Sequence, residues 1–208
     1  MELDHLVIAA RTLEEGTAFV ERIFATPTQP GGQHTRMGTH NRLLNLGNGV
    51  YLEVIAIDPS GNVPFQPRWF ALDDLAMQAR LADGPKLIHW VARTNSIEAD
   101  AMRSPASLGA IHQMERGSFK WRITIPPDGH LPADGIVPTL IQWDVDDHPT
   151  RHLPESGNRL KSLTGWHDSL SQVFEYSHHV RIGPWARGLA PLLEAMIETP
   201  QGDVILSS

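Results

Sequence analysis

The feature that most constrains this chain is a repeated phrase. Leu3-Asp4-His5-Leu6-Val7 returns as Leu87-Ile88-His89-Trp90-Val91, 84 residues later, and Thr12-Leu13-Glu14 meets Ser96-Ile97-Glu98 at the same offset. Each copy reads as a strand with a histidine at its centre, then a helix opening at a hydroxyl cap. Self-similarity at a fixed period marks a fold assembled from copies of one supersecondary unit. The repeated histidine is also a possible metal ligand, so the repeat bears on chemistry.

The first unit spans residues 1–61. Residues 2–10 alternate around Leu3, His5 and Val7, as a strand does. Thr12 suits an N-cap, with Glu14 and Glu15 favourable at the positive helix end. Phe19, Val20, Ile23 and Phe24 form an apolar helical face, which Pro27, Pro30, Gly31 and Gly32 end. Two strands at 41–46 and 50–57 flank Asn48-Gly49, a hairpin turn signal. A short strand near 33–39 would complete a β-α-β-β-β order. Residues 62–86 connect, with Trp69 and Phe70 as anchors and a helix near 72–81.

The second unit, 87–147, carries a helix at 96–102 and strands near 110–115, 119–125 and 138–144. Ile141-Gln142 falls in the place of Leu52-Glu53, 89 residues on. Residues 148–208 hold an eroded third copy. Its strand would lie at 160–163 and its helix start at Ser169-Leu170. Leu193-Glu194-Ala195-Met196 echoes Leu52-Glu53-Val54-Ile55, and a hairpin of 192–198 with 203–206 ends the chain. The segment 145–158 reads as a loop, and His178-His179 as a loop or helix-end pair.

Composition narrows the partners. A formal charge of −7 argues against a general nucleic-acid or anionic-membrane binder, because phosphate binding needs a basic surface. No cysteine is present, which removes disulfides, thiolate metal sites and a cysteine nucleophile. No basic region followed by an apolar run opens the sequence, and no apolar stretch is long enough for a membrane helix. The expectation is a soluble, cytoplasmic protein that binds a small molecule, with neither nucleic acid nor membrane as partner.

Glu53 sits inside an apolar strand, where a carboxylate is costly unless it faces water, is paired, or binds a cation. A polar residue recurs at the matching places, Gln142 and Glu194. His5 and His89 are structural hydrogen-bonding residues or ligands. Imidazole with carboxylate or amide oxygen suits Zn, Ni, Mn, Fe or Co without selecting one. Arg36, His40, Asn41 and Arg42 cluster at a loop-to-strand entry; an arginine there suits a substrate carboxylate, or the group is solvated surface. Trp69, Trp90, Trp121 and Trp143 line an aromatic pocket or pack the core. The run Asp144, Asp146, Asp147, His148 reads as solvated loop.

The paired units, with histidine on the first strand and glutamate on the last, resemble the vicinal oxygen chelate superfamily. Leu3-Asp4-His5-Leu6-Val7, Gly38-Thr39-His40-Asn41-Arg42-Leu43 and Tyr51-Leu52-Glu53-Val54 narrow this to a resemblance to its glyoxalase-like domain subgroup, over about residues 1–147. The resemblance implies an α+β fold: tandem β-α-β-β-β modules forming a curved mixed sheet around a cavity, with a partial third module. It implies a divalent-metal site of His5, Glu53, His89 and Gln142, with Glu53 as the general base. Arg36, His40, Asn41, Arg42 and Trp90 are the candidate substrate contacts. The implied activity is of lyase, isomerase or dioxygenase type on a small oxygen-bearing molecule. Gln142 departs from the usual carboxylate or histidine. The alternative within the same fold is a metal-free protein that sequesters its ligand. A homodimer is compatible with either, and two tandem modules allow a complete site in one chain.

Overall fold

The computed structural model describes residues 1–61, 67–177, 179–183 and 190–208. Strand β1 (Glu2–Ala9) leads into helix α1 (Leu13–Phe24), which opens where Glu15 N–H donates to Thr12 Oγ1 at 3.2 Å. Val20 and Phe24 bury its apolar face, and Ala25 ends it in the left-handed region (φ 48°). The strand expected near 33–39 lies earlier, as β2 (Gln29–His34). Residues 35–38 turn instead, because the Met37 and Gly38 N–H groups both donate to His34 O at 2.9 Å. β3 (Thr39–Asn45) and β4 (Tyr51–Ile57) follow, joined through Asn48 (φ 52°) and Gly49 (φ 73°). Positive φ at both matches the twist of a tight hairpin.

Helix α2 (Leu75–Leu81) starts where Ala76 N–H donates to Asp74 Oδ1. The second module is β5 (Lys86–Arg93), α3 (Ile97–Met102), β6 (Ala110–Arg116), β7 (Phe119–Ile125) and β8 (Thr139–Trp143). The two modules build one curled eight-stranded sheet in the order β2-β3-β4-β1-β5-β8-β7-β6. β1 runs parallel to β4 and antiparallel to β5, while β5 runs parallel to β8. The repeat thus meets itself along β1–β5, with Val7 opposite His89 and His5 opposite Val91.

A second sheet has five strands in the order β10 (Phe174–Ser177), β11 (Val180–Gly183), β9 (Arg159–Trp166), β12 (Leu192–Thr199), β13 (Gly202–Ser207). β9 has the place of a module's first strand. No helix follows it among the described residues, since Ser169 turns back to bond His167 Nδ1. β11 lies parallel to β9, as β4 does to β1, whereas β12 is antiparallel to β9, as β5 is to β1. Glu194 on β12 is therefore not the counterpart of Glu53. Short apolar strands look alike in sequence, and nothing in them encodes pairing direction. Of His178-His179, residue 178 lies outside the described residues; His179 sits in a turn.

Two cores separate the faces of the large sheet. One joins α1 and the five-stranded sheet to Leu6, Ile8, Leu52, Val54, Trp90 and Leu140. On the concave face the connecting segment supplies Trp69, Phe70, Leu72, Met77 and Leu81, packed on Val7, Ile55, Ile88, Val91, Ile123 and Ile141. Each such side chain contributes about 1.5–3 kcal/mol of burial. No helix among the described residues is long and apolar enough to cross a membrane.

Candidate functional site

The site begins with an irregularity in β1. Leu3 pairs with Ala92 and His5 with Val91, so Asp4 is an extra residue in the ladder. Such a bulge re-aims side chains that alternation would send to opposite faces. Asp4 and His5 meet, with His5 Nδ1 2.6 Å from Asp4 Oδ1. The His5 ring stacks on Tyr51 at 4.5 Å, and its Nε2 lies 3.5 Å from Glu53 Oε2. Asn41 Nδ2 donates to Glu53 Oε1 at 2.5 Å. Tyr51 and Glu53 are two apart on β4, and β3 sets Asn41 beside them, so all three share the concave face.

Asp4 is fully buried and takes two further donors, Trp143 Nε1 at 2.9 Å and His148 Nε2 at 3.0 Å. Burial pushes its carboxyl up, but the hydrogen bonds from His148 and His5, with their charge, outweigh this and hold it well below the usual carboxylate range. An ionised Asp4 fixes the proton on His5 Nδ1, leaving Nε2 to face Glu53. Burial, with the charges of Asp4 and Glu53, raises the Tyr51 phenol well above its ordinary value, so it stays protonated.

The opposite wall is built around Arg116, at the end of β6. Its Nη1 donates to Asn41 Oδ1 at 3.1 Å and to His34 Nε2 at 3.3 Å. His34 is buried; desolvation first, then the Arg116 charge, lowers its imidazole to about 3, so it is a neutral acceptor. Its other nitrogen, Nδ1, lies 3.1 Å from Thr39 Oγ1. Trp69, Phe70, Trp121, Ile123, Ile141 and Trp143 complete a small inner cavity of about 30 Å³. His34, Trp69 and Trp121 also line a wider outer groove of about 600 Å³.

The predicted site residues divide. His5, Glu53 and Asn41 come together here. His89 lies on the neighbouring strand, but both ring nitrogens are occupied: Nδ1 is 3.0 Å from Gly135 O, and Nε2 accepts from Thr139 N–H at 3.0 Å. Burial lowers its imidazole to about 3. Gln142 stands on the far face of β8, where Oε1 accepts Ile97 N–H at 3.0 Å at the start of α3. Its neighbours Ile141 and Trp143 face the cavity instead; by register Thr139, opposite Val91 as Glu53 is opposite Val7, has the place of Glu53, and the odd offset from it to Gln142 reverses the face.

The predicted metal set thus splits into two converging donors, His5 and Glu53, and two that point elsewhere. Among the described residues no group of three or more His, Asp or Glu side chains is placed to hold a metal ion. The residues do not fit the four-ligand divalent centre that the resemblance implies.

The predicted substrate contacts fare similarly. Arg42 is a structural tie: Nε and Nη2 donate to Thr28 Oγ1 and O at 2.6 Å each. Arg36 Nη1 donates to Gln113 O at 2.8 Å, linking β6 to the turn after β2. His40 alternates with Asn41 and so faces away from the cavity. Trp90 is buried between the sheets, its Nε1 donating to Ile136 O at 2.8 Å and its ring edge-on to Tyr176. The other three tryptophans of that group line the cavity.

Asp4, His34, Arg116 and His148 belong to the site and were not singled out for it. One signal was present for Arg116 and Asn41: Gly31-Gly32 lies within β2. A Cβ on Gly31 would fall 2.0 Å from Asn41 Oδ1, and one on Gly32 would fall 3.0 Å from Arg116 Cδ. The two glycines leave room for both side chains.

With this geometry in hand, comparison with known proteins is informative. A family model described as a glyoxalase-like domain matches residues 3–180. A search of curated proteins found no match. The crystal structure of a hypothetical protein from Staphylococcus aureus is similar at a TM-score of 0.60 and 15% identity, over 91% of this chain and 87% of that one. A methylmalonyl-CoA epimerase from Mycobacterium tuberculosis gives a TM-score of 0.43 at 14% identity, over 68% of this chain and 86% of that one. One from Streptomyces coelicolor, in complex with 2-nitronate-propionyl-CoA, gives 0.42 at 16%, over 72% and 99%. The first likeness is one of fold.

Proposed function

The chain belongs to the glyoxalase-like domain family, and we propose that its concave-face site is an acid–base centre acting on a small oxygen-bearing molecule. The observation that carries this is Glu53, only 5% exposed in an aromatic-walled cavity, with His5 Nε2 and the Asn41 amide as its polar neighbours. Burial of that carboxylate keeps bulk water from competing with a ligand for it. Asp4 orients His5 as a second group able to take or return a proton beside it.

In this reading Glu53 takes a proton from a carbon next to a carbonyl. The C–H electron pair forms a carbon–carbon double bond, and the carbonyl π pair moves onto oxygen. If Glu53 trades its proton with solvent and returns it to the same carbon the outcome is exchange, a proton delivered to the opposite face by a second acid gives epimerisation, and return to a neighbouring carbon gives isomerisation. Loss of a leaving group from the enolate would make the reaction a lyase's. Each group named belongs to one chain, so the centre needs no partner copy. No step runs through a metal, because the donor set does not fit one.

The apolar walls favour a second reading, that of a protein that holds a small ligand without transforming it. One experiment separates the two. Pyruvate, methylglyoxal and similar small 2-oxo compounds are incubated in D2O, and loss of the C–H signal next to the carbonyl is followed by proton NMR. The acid–base reading expects exchange above the protein-free rate for at least one compound, reduced by about 10²-fold or more in E53Q. Binding without exchange, or exchange unchanged in E53Q, would sink it in favour of sequestration.

A further inference from the structure

The cavity holds a cation whose charge is not met by any carboxylate. Among the described residues Arg116 forms no salt bridge, and its hydrogen bonds run from Nη1 alone, to two neutral acceptors, Asn41 Oδ1 and His34 Nε2. Guanidinium carries five donors in a fixed fork suited to carboxylate. His34 is kept neutral by burial and by Arg116 itself, so it positions the cation without neutralising it. The stem of Arg116 crosses β2 where Gly32 has no side chain to block it.

A second, independent observation points the same way. Trp69 lines both the inner cavity and the outer groove, is buried, and among the described residues its indole Nε1 has no hydrogen-bond partner. Indole N–H is a donor only, and leaving it buried without an acceptor costs about 1–3 kcal/mol. The site therefore contains a part-buried guanidinium, over the Phe119 ring but without a carboxylate partner, and an indole N–H without an acceptor among the described residues, and both suit an anionic ligand.

We infer that this cavity takes a small carboxylic acid, its carboxylate held by the fork of Arg116 with the Trp69 N–H as an additional donor. The inner cavity has room for the polar head of such a molecule, and its apolar body would extend past Trp69 and Trp121 into the wider groove that both residues also line. Asn41 bridges Arg116 to Glu53, so a carboxylate on Arg116 would lie in the same cavity as the Glu53 carboxylate. The substrate class is then a 2-oxo or related short-chain acid. The inference rests on the acid–base reading for the identity of this cavity as the ligand site, but its test does not depend on turnover.

The test is calorimetric binding of two matched pairs, benzoate against benzamide and pyruvate against pyruvamide, to the full chain. The expected result is that at least one acid binds about tenfold or more tighter than its amide. R116Q is expected to erase that preference, and W69F to weaken acid binding by a smaller factor. R116K keeps the charge but not the fork, and is expected to retain part of the preference if R116Q does not fold. E53Q should still bind the acid while losing proton exchange, so failure of the acid–base reading and failure of the carboxylate subsite give different results. Equal affinity for acid and amide, no binding of any of the four at millimolar concentration, or wild-type acid binding by folded R116Q each overturns the inference.

Discussion

Among the described residues the imidazoles of His34 and His89 are buried as neutral groups, and that shapes the response to acid. His34 and His89 are both lowered to about 3 by burial, from an ordinary value of 6.5. A base whose folded value lies below its unfolded value contributes full stability above the unfolded value and loses it as pH falls towards the folded one. Each site then costs about 1.4 kcal/mol per pH unit between about pH 6 and 4. Urea unfolding across that range should show stability falling with acidity, and H89Q should flatten the slope by roughly one group's share. An unchanged slope in H89Q would mean that His89 is not held neutral. Asp4 adds to acid sensitivity at lower pH, because its depressed value makes its contribution vanish only as pH drops below the ordinary carboxylate range. Removing its charge leaves His5, His148 and the Trp143 N–H facing an altered partner, so D4A is expected to cost about 3 kcal/mol or more. A chemical-denaturation midpoint equal to the wild type would contradict that.

Secondary structure was largely legible in the sequence, and the direction of side chains was less so. The Thr12 cap, the Asn48-Gly49 turn and the final hairpin each follow from local chemistry, and each is present. The bulge at Asp4 was not legible, since strict alternation sends Asp4 away from His5 and only the pairing with β5 reveals the extra residue. On β8 the repeat aligned Gln142 with Glu53, one residue off the cavity-facing Ile141 and Trp143, and in a strand one residue reverses the face. From β8, Gln142 caps the start of α3, accepting the N–H of Ile97. Q142A is therefore expected to lower stability by about 1 kcal/mol and to leave ligand binding and any proton exchange intact; loss of either function would restore Gln142 to the site. Glycine positions in β2 make the opposite case. G31A places a methyl against Asn41 Oδ1 and should weaken activity through Asn41, at a stability cost of about 1–3 kcal/mol. Wild-type exchange in G31A would show that Asn41 need not sit where it does.

At the scale of the whole molecule, the large sheet does two jobs on its two faces. Its convex face is buried under α1 and the five-stranded sheet, with Trp90 and Tyr176 in edge-to-face contact between the layers. That burial explains why Trp90, an attractive pocket residue in the sequence, is unavailable to a ligand. On the concave face Trp69 and Phe70 of the connecting segment pack beside the cavity and form part of its wall. Arg36 and Arg116 bind across from β6 to the β2–β3 region, so the two ends of the curled sheet are tied beside the cavity. The repeat in the sequence announced two equivalent modules, yet the site is asymmetric. The first module gives the acid–base residues, while the second gives Arg116 and aromatic walls, and His89 has become structural. A repeat preserves backbone more readily than function, because pairing is dictated by many residues and a site by few.

The central claim is the arrangement Asp4–His5–Glu53, in which an ionised Asp4 holds the proton on His5 Nδ1 and leaves Nε2 facing the carboxylate. Nitrogen-15 NMR of histidine-labelled protein near neutral pH tests this most directly, with the His5 signals identified by their loss in H5Q. The account predicts that His5 Nδ1 carries a proton, as His89 Nδ1 does against Gly135 O. A neutral His5 with its proton on Nε2 and a bare Nδ1 would contradict it, since Asp4 could not then be the group that orients the ring.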